Sequence, residues 1–413
     1  MRQERRTTGY QALTVGLLSL NFGILFFDRN ALNFLMPFVK PDLHLSDTQV
    51  GLLSSGLSLT WAMAGFGVGR LSDKLGSRKP VIVAATVAFG VCSVISGLAS
   101  SFFMLLAARI LMGLAEGGVM PVSHAIIVAE VDEERRGLAM GVGQNLGSNI
   151  LGSAVAPLVL VPVALAFGWR DAFFLAALPG LVTAALIWFL IDEPSPAELG
   201  HGDAPQATLA EAFADSNVRL CAIISILLVS YLVCCWAFMP LFLTQERGFA
   251  PDTVAWLMAT LGISAGVGSF AVSALSDVIG RKPSIVGFSL IGVVLPLGAM
   301  YFTGSAWGLA AIFFVGWGLN GVFPLFMATI PAESVDPRLT ASLTGIVMGI
   351  GEVLGGVLSP FAAGALSDAF GRSAVLWMML GLTLLSALVA LGLRETAPRV
   401  LARRQDGRGL ATA

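Results

Sequence analysis

The fold of this chain is indicated by Gly69-Arg70-Leu71-Ser72-Asp73-Lys74-Leu75-Gly76-Ser77-Arg78-Lys79, a polar stretch between two long apolar segments. A similar stretch, Leu275-Ser276-Asp277-Val278-Ile279-Gly280-Arg281-Lys282-Pro283, occurs 203 or 204 residues later. The same shift carries Gly113, Gly118, Pro121, Gly152 and Pro157 onto Gly316, Gly321, Pro324, Gly355 and Pro360. Because so many features recur in one order, the sequence predicts two structurally related halves.

The composition is that of a membrane protein. Of 413 residues, 56% are hydrophobic and 12% are charged, whereas a soluble domain carries about 25% charged residues. A helix of roughly 20 apolar residues crosses the hydrocarbon core. The apolar segments lie at 11–38, 47–69, 80–100, 102–129, 138–167, 172–191, 219–245, 252–276, 284–303, 306–332, 340–367 and 372–393. We therefore expect an all-α membrane protein with twelve transmembrane helices in two six-helix bundles.

The longest polar interval lies between the sixth and seventh apolar segments and is rich in proline and glycine. It predicts an N-terminal bundle at 1–192, a cytoplasmic linker at 193–217, and a C-terminal bundle with a short cytoplasmic tail at 218–413.

The distribution of lysine and arginine predicts the orientation. If both termini are cytoplasmic, eighteen of these residues fall on the cytoplasmic side and four on the opposite side. Cytoplasmic loops carry such an excess in membrane proteins. We therefore expect a multi-pass protein of the cell inner (plasma) membrane with both termini in the cytoplasm.

The polar stretch at 69–79 resembles the signature loop of the major facilitator superfamily, and the stretch at 275–283 resembles its degenerate second copy. The resemblance covers nearly the whole chain. It implies the major facilitator fold and transport by alternating access, in which a central site opens in turn to each side of the membrane. We expect a monomer.

Further stretches resemble narrower groups within this superfamily. Three of them resemble the anion:cation symporters, which import organic acids with protons. These are Phe27-Asp28-Arg29-Asn30-Ala31-Leu32, Arg109-Ile110-Leu111-Met112-Gly113-Leu114-Ala115-Glu116-Gly117 and Phe167-Gly168-Trp169-Arg170-Asp171-Ala172-Phe173-Phe174. A fourth, Pro41-Asp42-Leu43-His44-Leu45-Ser46-Asp47-Thr48-Gln49-Val50-Gly51-Leu52-Leu53, resembles Spinster-like transporters. The chain departs from the symporter pattern at Glu352, where those proteins usually carry asparagine.

Four charged residues fall within the predicted spans of the first half. Asp28 and Arg29 lie on the first span, and Arg109 and Glu116 lie on the fourth. A charge at the centre of a membrane helix costs about 2.5–3.5 kcal/mol on insertion scales, so it persists when it is paired or functional. In the second half, Ile312 and Leu319 occupy the positions of Arg109 and Glu116, so the scaffold does not require these charges.

Two interpretations of these charges remain open. In one, they form a static salt bridge. In the other, Arg29 and Arg109 bind an anionic substrate, since guanidinium presents a planar fork to a carboxylate, and Asp28 and Glu116 accept protons. Glu352 is a further candidate for proton coupling, or else a buried acid that is hydrogen-bonded to its neighbours.

Two other sets of residues are candidates for the transport path. The first set is predicted to line the substrate cavity, where the aromatic members offer a stacking surface; it comprises Gln144, Asn145, Tyr231, Trp236 and Asn320. Packing between helices is the alternative for each of them. The second set is predicted to form a gate around the polar stretches, with a solvated charged loop as the alternative; it comprises Gly69, Asp73, Gly76, Arg78, Arg135 and Asp277.

Several classes of function are disfavoured. The sequence contains no nucleotide-binding Gly-x-x-x-x-Gly-Lys-Ser/Thr loop, no metal-ligand spacing of Cys and His, and no visible nucleophile–base set. A net charge of −2 implies no nucleic-acid partner. We expect no cofactor, no metal and no enzymatic activity. The favoured function is proton-coupled symport of a small organic anion. The alternatives are a proton-driven exporter of amphipathic drug-like or lipid-like molecules and a ligand-sensing receptor.

Overall fold

The computed structural model describes residues 7–75, 77–132, 135–194, 213–335 and 340–403. Within these ranges, the side chains of 66, 69–71, 73–75, 137, 144, 145 and 340–344 are outside the description. The described residues form helices and connecting turns, without a strand.

The first half contains six long helical segments, α1 to α6. Their bounds are Thr8–Asp42 (α1), Asp47–Leu75 (α2), Lys79–Gly97 (α3), Phe102–Glu130 (α4), Arg136–Gly141 continuing through Val142–Leu146 and Ser148–Val155 to Ala156–Phe167 (α5), and Trp169–Leu190 (α6). The segment α4 is interrupted at Gly117 and Gly118, between Phe102–Glu116 and Val119–Glu130.

The second half contains six more segments, α7 to α12. Their bounds are Ser216–Glu246 (α7), Pro251–Ile279 (α8), Arg281–Tyr301 (α9), Ala306–Ser334 (α10), Thr340–Ile350 continuing through Gly351–Leu358 to Ser359–Phe370 (α11), and Ser373–Ala390 (α12).

Eleven helices in the described part of the chain are long and apolar enough to cross a membrane. The remaining segment, α2, has 29 residues and is also long enough to cross the hydrocarbon core. The expected all-α membrane fold is therefore confirmed.

The internal repeat is visible in the helix geometry. Residues Ser148–Val155 of α5 and Gly351–Leu358 of α11 are both wound as π-helix, and they are 203 residues apart. Both helices then end at a glycine with positive φ, Gly168 at 100° and Gly371 at 84°. A residue with a side chain is strained at such angles, so glycine at these two positions permits the sharp turn into the next helix.

The helix contacts repeat as well. The Thr60 hydroxyl donates to the carbonyl oxygen of Ile110 at 2.9 Å, and the Ser264 hydroxyl donates to that of Phe314 at 2.6 Å, each pair being related by the repeat. Such bonds tie α2 to α4 and α8 to α10. Interhelical hydrogen bonds and small residues are the usual means by which helices associate in lipid.

The chain divides into two compact units. One comprises Met1–Gly202 with Thr244–Gly262, and the other comprises Asp203–Leu243 with Ile263–Ala413. The core of the first unit is formed by apolar side chains from α1 to α6, such as Leu25, Phe89 and Met112.

Candidate functional site

The structure brings the four charged residues of the first half together. Asp28 and Glu116 are completely buried, and Arg109 is 3% exposed. Both arginines, Arg29 and Arg109, interact electrostatically with Glu116, and Arg109 also interacts with Asp28. Because Arg109 and Glu116 are seven residues apart, about two helical turns place them on one face of α4.

The Arg109 guanidinium is held by neutral groups. Its Nη2 donates to the carbonyl oxygen of Arg29 at 3.0 Å, and its Nη1 contacts Met112 Sδ at 3.2 Å. Its Nε is buried and has no hydrogen-bond partner among the described residues. The guanidinium therefore retains a donor for a further acceptor.

Glu116 has no hydrogen bond in the described part of the chain. Both of its carboxylate oxygens are buried without a partner. A carboxylate removed from water without donors is costly, and the neutral acid costs much less. Glu116 is therefore a buried acid without a hydrogen-bond donor among the described residues and close to two arginines.

Asp28 is held by Ser93, which lies on α3. The Ser93 hydroxyl oxygen is 2.5 Å from Asp28 Oδ1 and 3.2 Å from the carbonyl oxygen of Phe173. A serine hydroxyl has one proton to donate. The second oxygen of Asp28, Oδ2, has no partner within the described ranges.

Arg29 is the partly exposed member of the four. Its guanidinium carbon lies 5.6 Å from the centre of the Phe26 ring and 5.2 Å from that of Trp61. Cation–π contacts of this kind are individually weak, at about 0.5–2 kcal/mol, so the two rings position the Arg29 side chain but do not cancel its charge. In this conformation, the cluster reaches the surface of its unit through Arg29.

In the second half, Tyr231 and Trp236 lie in an aromatic cluster that the sequence indicated only in part. The Tyr231 hydroxyl donates to the carbonyl oxygen of Gly292 at 2.9 Å. The ring of Trp317 lies 6.0 Å from that of Tyr231 and 5.4 Å from that of Trp236. The Trp317 indole N–H is buried and has no partner among the described residues.

The other predicted lining and coupling residues are described in part. Asn320 is partly buried in the one-turn segment Gly318–Val322 of α10. Glu352 is partly exposed in the π-helical part of α11. The side chains of Gln144 and Asn145 lie outside the described residues.

The predicted gate is described in part. Arg78 is buried and its Nη1 donates to Ser72 Oγ at 3.3 Å. Asp277 forms an ion pair of 2.7 Å with Arg281. Arg135 is exposed. The side chains of Gly69 and Asp73, and residue Gly76 altogether, lie outside the described residues.

Each half also has a glutamate that caps a helix near this gate. Glu193 accepts hydrogen bonds from the backbone N–H groups of Arg78 at 2.5 Å and Lys79 at 2.9 Å. Glu395 accepts them from Arg281 at 2.7 Å and Lys282 at 3.3 Å. A carboxylate at a helix N-terminus satisfies free N–H groups and complements the helix dipole.

A family comparison agrees with this arrangement. The family model described as "Major Facilitator Superfamily" matches residues 18–239 and again residues 221–412, so it recognises both halves. The chain belongs to the major facilitator superfamily. As a major facilitator protein it is a multi-pass membrane transporter and not an enzyme, and the expected recognition is confirmed.

Curated relatives show the same class of function. A probable 4-methylmuconolactone transporter of Cupriavidus pinatubonensis is 29% identical and covers 80% of this chain and 78% of its own. The probable sulfoacetate transporter SauU of Cupriavidus necator is 27% identical over 92% of both chains. The multidrug resistance protein MdtL of Salmonella typhi is 26% identical over 86% of this chain and 88% of its own.

A solved structure supports the fold. A bacterial homolog of the human lysosomal transporter Spinster, in an inward-facing and occupied conformation, superposes with a TM-score of 0.79 at 20% identity. The superposition covers 94% of this chain and 97% of that one. This major facilitator architecture therefore extends over the length of the chain.

Three residues near the clusters were not predicted from the sequence: Ser93, Trp61 and Trp317. Each lies in an apolar segment where serine and tryptophan are also common for packing reasons. The repeat offers no signal for them, because partners on different helices are set by how those helices cross. Their contribution became visible only from the distances to Asp28, Arg29 and Tyr231.

Proposed function

We propose that this transporter is a symporter that couples the entry of protons to the uptake of a small organic anion. The observation that carries the proposal is the group of two acids and two arginines in the first half, of which only Arg29 is partly exposed. The second half carries apolar Ile312 and Leu319 at the positions of Arg109 and Glu116. Because the second half keeps the same scaffold without charges at these two positions, we infer that the charges of the first half serve the cargo and not the fold.

The proposed cycle begins with the anion. Arg29 reaches the surface of its unit and provides the first contact, and Arg109 provides a second through its unpaired Nε. When the anion engages these guanidinium groups, they stabilise the Glu116 carboxylate less, so Glu116 takes up a proton. One monoanion bound together with one proton leaves the net charge of the site unchanged.

The contacts of Asp28 support a role in proton binding. Ser93 faces two acceptors with one proton, as described above. A protonated Asp28 donates to Ser93 Oγ, and Ser93 then donates to the carbonyl oxygen of Phe173. Both distances are accounted for by this arrangement. We propose that Asp28 holds a proton in this conformation and that Glu352 adds a further coupling acid.

The remaining features of the proposal concern place and architecture. We propose that residues 1–192 and 218–413 are the two bundles, that 193–217 links them on the cytoplasmic side, and that the monomer lies in the inner (plasma) membrane. Tyr231, Trp236, Asn320, Gln144 and Asn145 would contact the cargo, while Arg78, Arg135, Asp277 and the loop at 69–76 would gate it.

A second candidate is a proton-driven exporter of amphipathic molecules, which the likeness to the multidrug resistance protein MdtL favours. Transport direction and cargo distinguish the two. In a thermal-unfolding screen of the purified protein, a bound cargo raises the melting temperature. We expect organic carboxylates or sulfonates to do so, whereas hits confined to neutral amphiphiles would favour the exporter.

The decisive variant is Glu116→Gln, which keeps the shape of the side chain and removes its titration. In proteoliposomes, a pH gradient should no longer drive accumulation of the anion, while exchange of labelled for unlabelled anion should persist. The matched control is Asp252→Asn, the same chemical change at an exposed acid at the start of α8. Normal gradient-driven uptake by the Glu116 variant would contradict the proposal.

A further inference from the structure

An open crevice lies in the second unit where the start of α9 meets the end of α12. Its volume is about 570 Å³. It is lined by Lys282, Pro283, Val286, Leu391, Leu393, Arg394 and Glu395. Two cations and a strip of apolar side chains therefore share one cavity. We expect it on the side of the membrane rich in lysine and arginine, which we propose is cytoplasmic.

Both cations retain donors that point to a further ligand. Within the described part of the chain, the Lys282 ammonium donates one hydrogen bond, to the carbonyl oxygen of Leu391 at 2.6 Å, and it has three protons to give. The Arg394 side chain is 64% exposed and uses its Nη2 in an ion pair with Asp215. Its Nε and Nη1 have no partner among the described residues.

The acid in the lining is already compensated. The Glu395 carboxylate accepts hydrogen bonds from the backbone N–H groups of Arg281 and Lys282, at the N-terminus of α9, and from those of Thr396 at 3.1 Å and Ala397 at 3.0 Å. Four donors and the positive end of a helix surround this charge. Lys282 and the remaining donors of Arg394 are therefore available to a ligand.

The first half provides an internal comparison. There Glu193 caps Arg78 and Lys79 as Glu395 caps Arg281 and Lys282, so the two sites correspond. Asp192 precedes Glu193 where Arg394 precedes Glu395. The Lys79 ammonium lies 5.1 Å from the centre of the Trp188 ring. In the first half, the lysine is therefore covered by an aromatic ring and the neighbouring charge is reversed.

Apolar surface continues from the crevice along both helices. Leu290 lies one turn beyond Val286 on α9, and Leu388 lies one turn before Leu391 on α12. They are 48% and 64% exposed. Charged groups at one end and exposed leucines below them match the two parts of a phospholipid, since basic pockets between transmembrane helices bind anionic headgroups.

We propose that this crevice binds an anionic phospholipid, with Lys282 and Arg394 holding the headgroup phosphate and the leucines of α9 and α12 contacting an acyl chain. The apolar strip favours a lipid, which has an acyl chain, over a free phosphate ion as the ligand. The lipid joins the ends of α9 and α12 and so stabilises the second half. This inference does not depend on the identity of the transported cargo.

The test uses the purified full-length protein in a neutral detergent. Its thermal unfolding is followed while phosphatidylglycerol, phosphatidylcholine or inorganic phosphate is added. We expect phosphatidylglycerol to raise the melting temperature in a concentration-dependent way, and the other two to leave it unchanged. An equal shift with phosphatidylcholine, or a shift with inorganic phosphate alone, would overturn the proposal.

Two variants and one control localise the effect. In Lys282→Gln/Arg394→Gln the half-maximal concentration of phosphatidylglycerol should rise about 25-fold, at about fivefold per lost cation. Leu391→Trp keeps both cations and fills the crevice at a residue that is 54% exposed, so it should also weaken the shift. Lys79→Gln, the equivalent change in the first half, should respond like the unaltered protein. An unchanged response in both crevice variants would refute the site.

Discussion

At the residue scale, the direction of the hydrogen bond between Ser93 and Asp28 depends on whether Asp28 carries a proton. The two residues are 65 positions apart and are completely buried, and their oxygens are 2.5 Å apart. If Asp28 is the donor, Ser93 stabilises the protonated acid. If Ser93 is the donor, it stabilises the carboxylate. The two cases predict opposite effects when the hydroxyl is removed.

We propose that Asp28 is the donor in this hydrogen bond. Replacement of Ser93 by alanine should then move the pH midpoint of anion uptake to lower pH, because the protonated form of Asp28 loses its acceptor. Loss of a hydrogen bond to a buried group costs about 1–3 kcal/mol, which is enough to displace the midpoint measurably. Uptake rates measured across a pH series check this.

Ser96→Ala is the matched control for Ser93→Ala. Ser96 is also completely buried on α3, but its hydroxyl donates to the carbonyl oxygen of Cys92 in its own helix. Its pH profile should be unaltered. A shift of the Ser93 variant toward higher pH would mean that Asp28 is ionised in this conformation.

The residue scale also shows the limit of a sequence-based reading of charge. Asp28, Arg29, Arg109 and Glu116 are conspicuous because charged residues are rare in membrane spans. Their grouping could be predicted from that rarity alone. Ser93 and Trp61 could not be identified in the same way, because polar and aromatic side chains are tolerated at many positions of a membrane helix.

At the element scale, glycines set the distance between helices. Gly147 on α5 faces the backbone of α1, where an added Cβ would lie 2.9 Å from the carbonyl carbon of Ser19 and 3.0 Å from the amide nitrogen of Gly23. Distances this short leave no room for a methyl group between two backbones. The two helices therefore approach as closely as their main chains permit.

Gly147→Ala should destabilise the protein by about 1–3 kcal/mol, because α1 and α5 must separate to admit the methyl group. Gly141→Ala in the same helix is the control, since nothing lies within 4 Å of an added Cβ there. Alanine should stabilise that turn by roughly 0.5–1 kcal/mol relative to glycine. The melting temperature should fall for the first variant and rise slightly for the second. A fall of equal size in both would contradict the close contact.

The helix bounds show what periodicity and hydropathy can and cannot provide. The number and order of the apolar segments were predicted, since each must be long enough to cross the bilayer. The π-helical winding of α5 and α11 was not, because it depends on contacts with the neighbouring helices and leaves no distinct residue pattern. The interruption of α4 at Gly117 and Gly118 coincides with adjacent glycines, which was a visible but unspecific signal.

At the scale of the whole molecule, the repeat and the charge asymmetry predict different things. The repeat predicts the architecture, and it is reproduced in paired hydrogen bonds and paired capping glutamates. The asymmetry of lysine and arginine predicts which side of the membrane each loop occupies. Orientation depends on the membrane and its insertion machinery, so it requires its own experiment.

Single cysteines can establish that orientation. Thr303→Cys lies exposed between α9 and α10, and Ala402→Cys lies exposed after α12. In intact cells, a membrane-impermeant maleimide should label the first and should label the second only after permeabilisation. The four native cysteines are buried, so background labelling should be low. Labelling in the reverse order would place the termini outside.

The amino-acid sequence was sufficient for the helical membrane class, the two related halves, the superfamily and the group of charges in the first half. These follow from hydropathy, internal similarity and the cost of charge in lipid, which are properties of the chain read in order. The partners of those charges, the aromatic cluster around Trp317 and the crevice between α9 and α12 depend on side chains far apart in the chain. They required the folded structure, because the crossing of helices brings such residues within hydrogen-bonding distance.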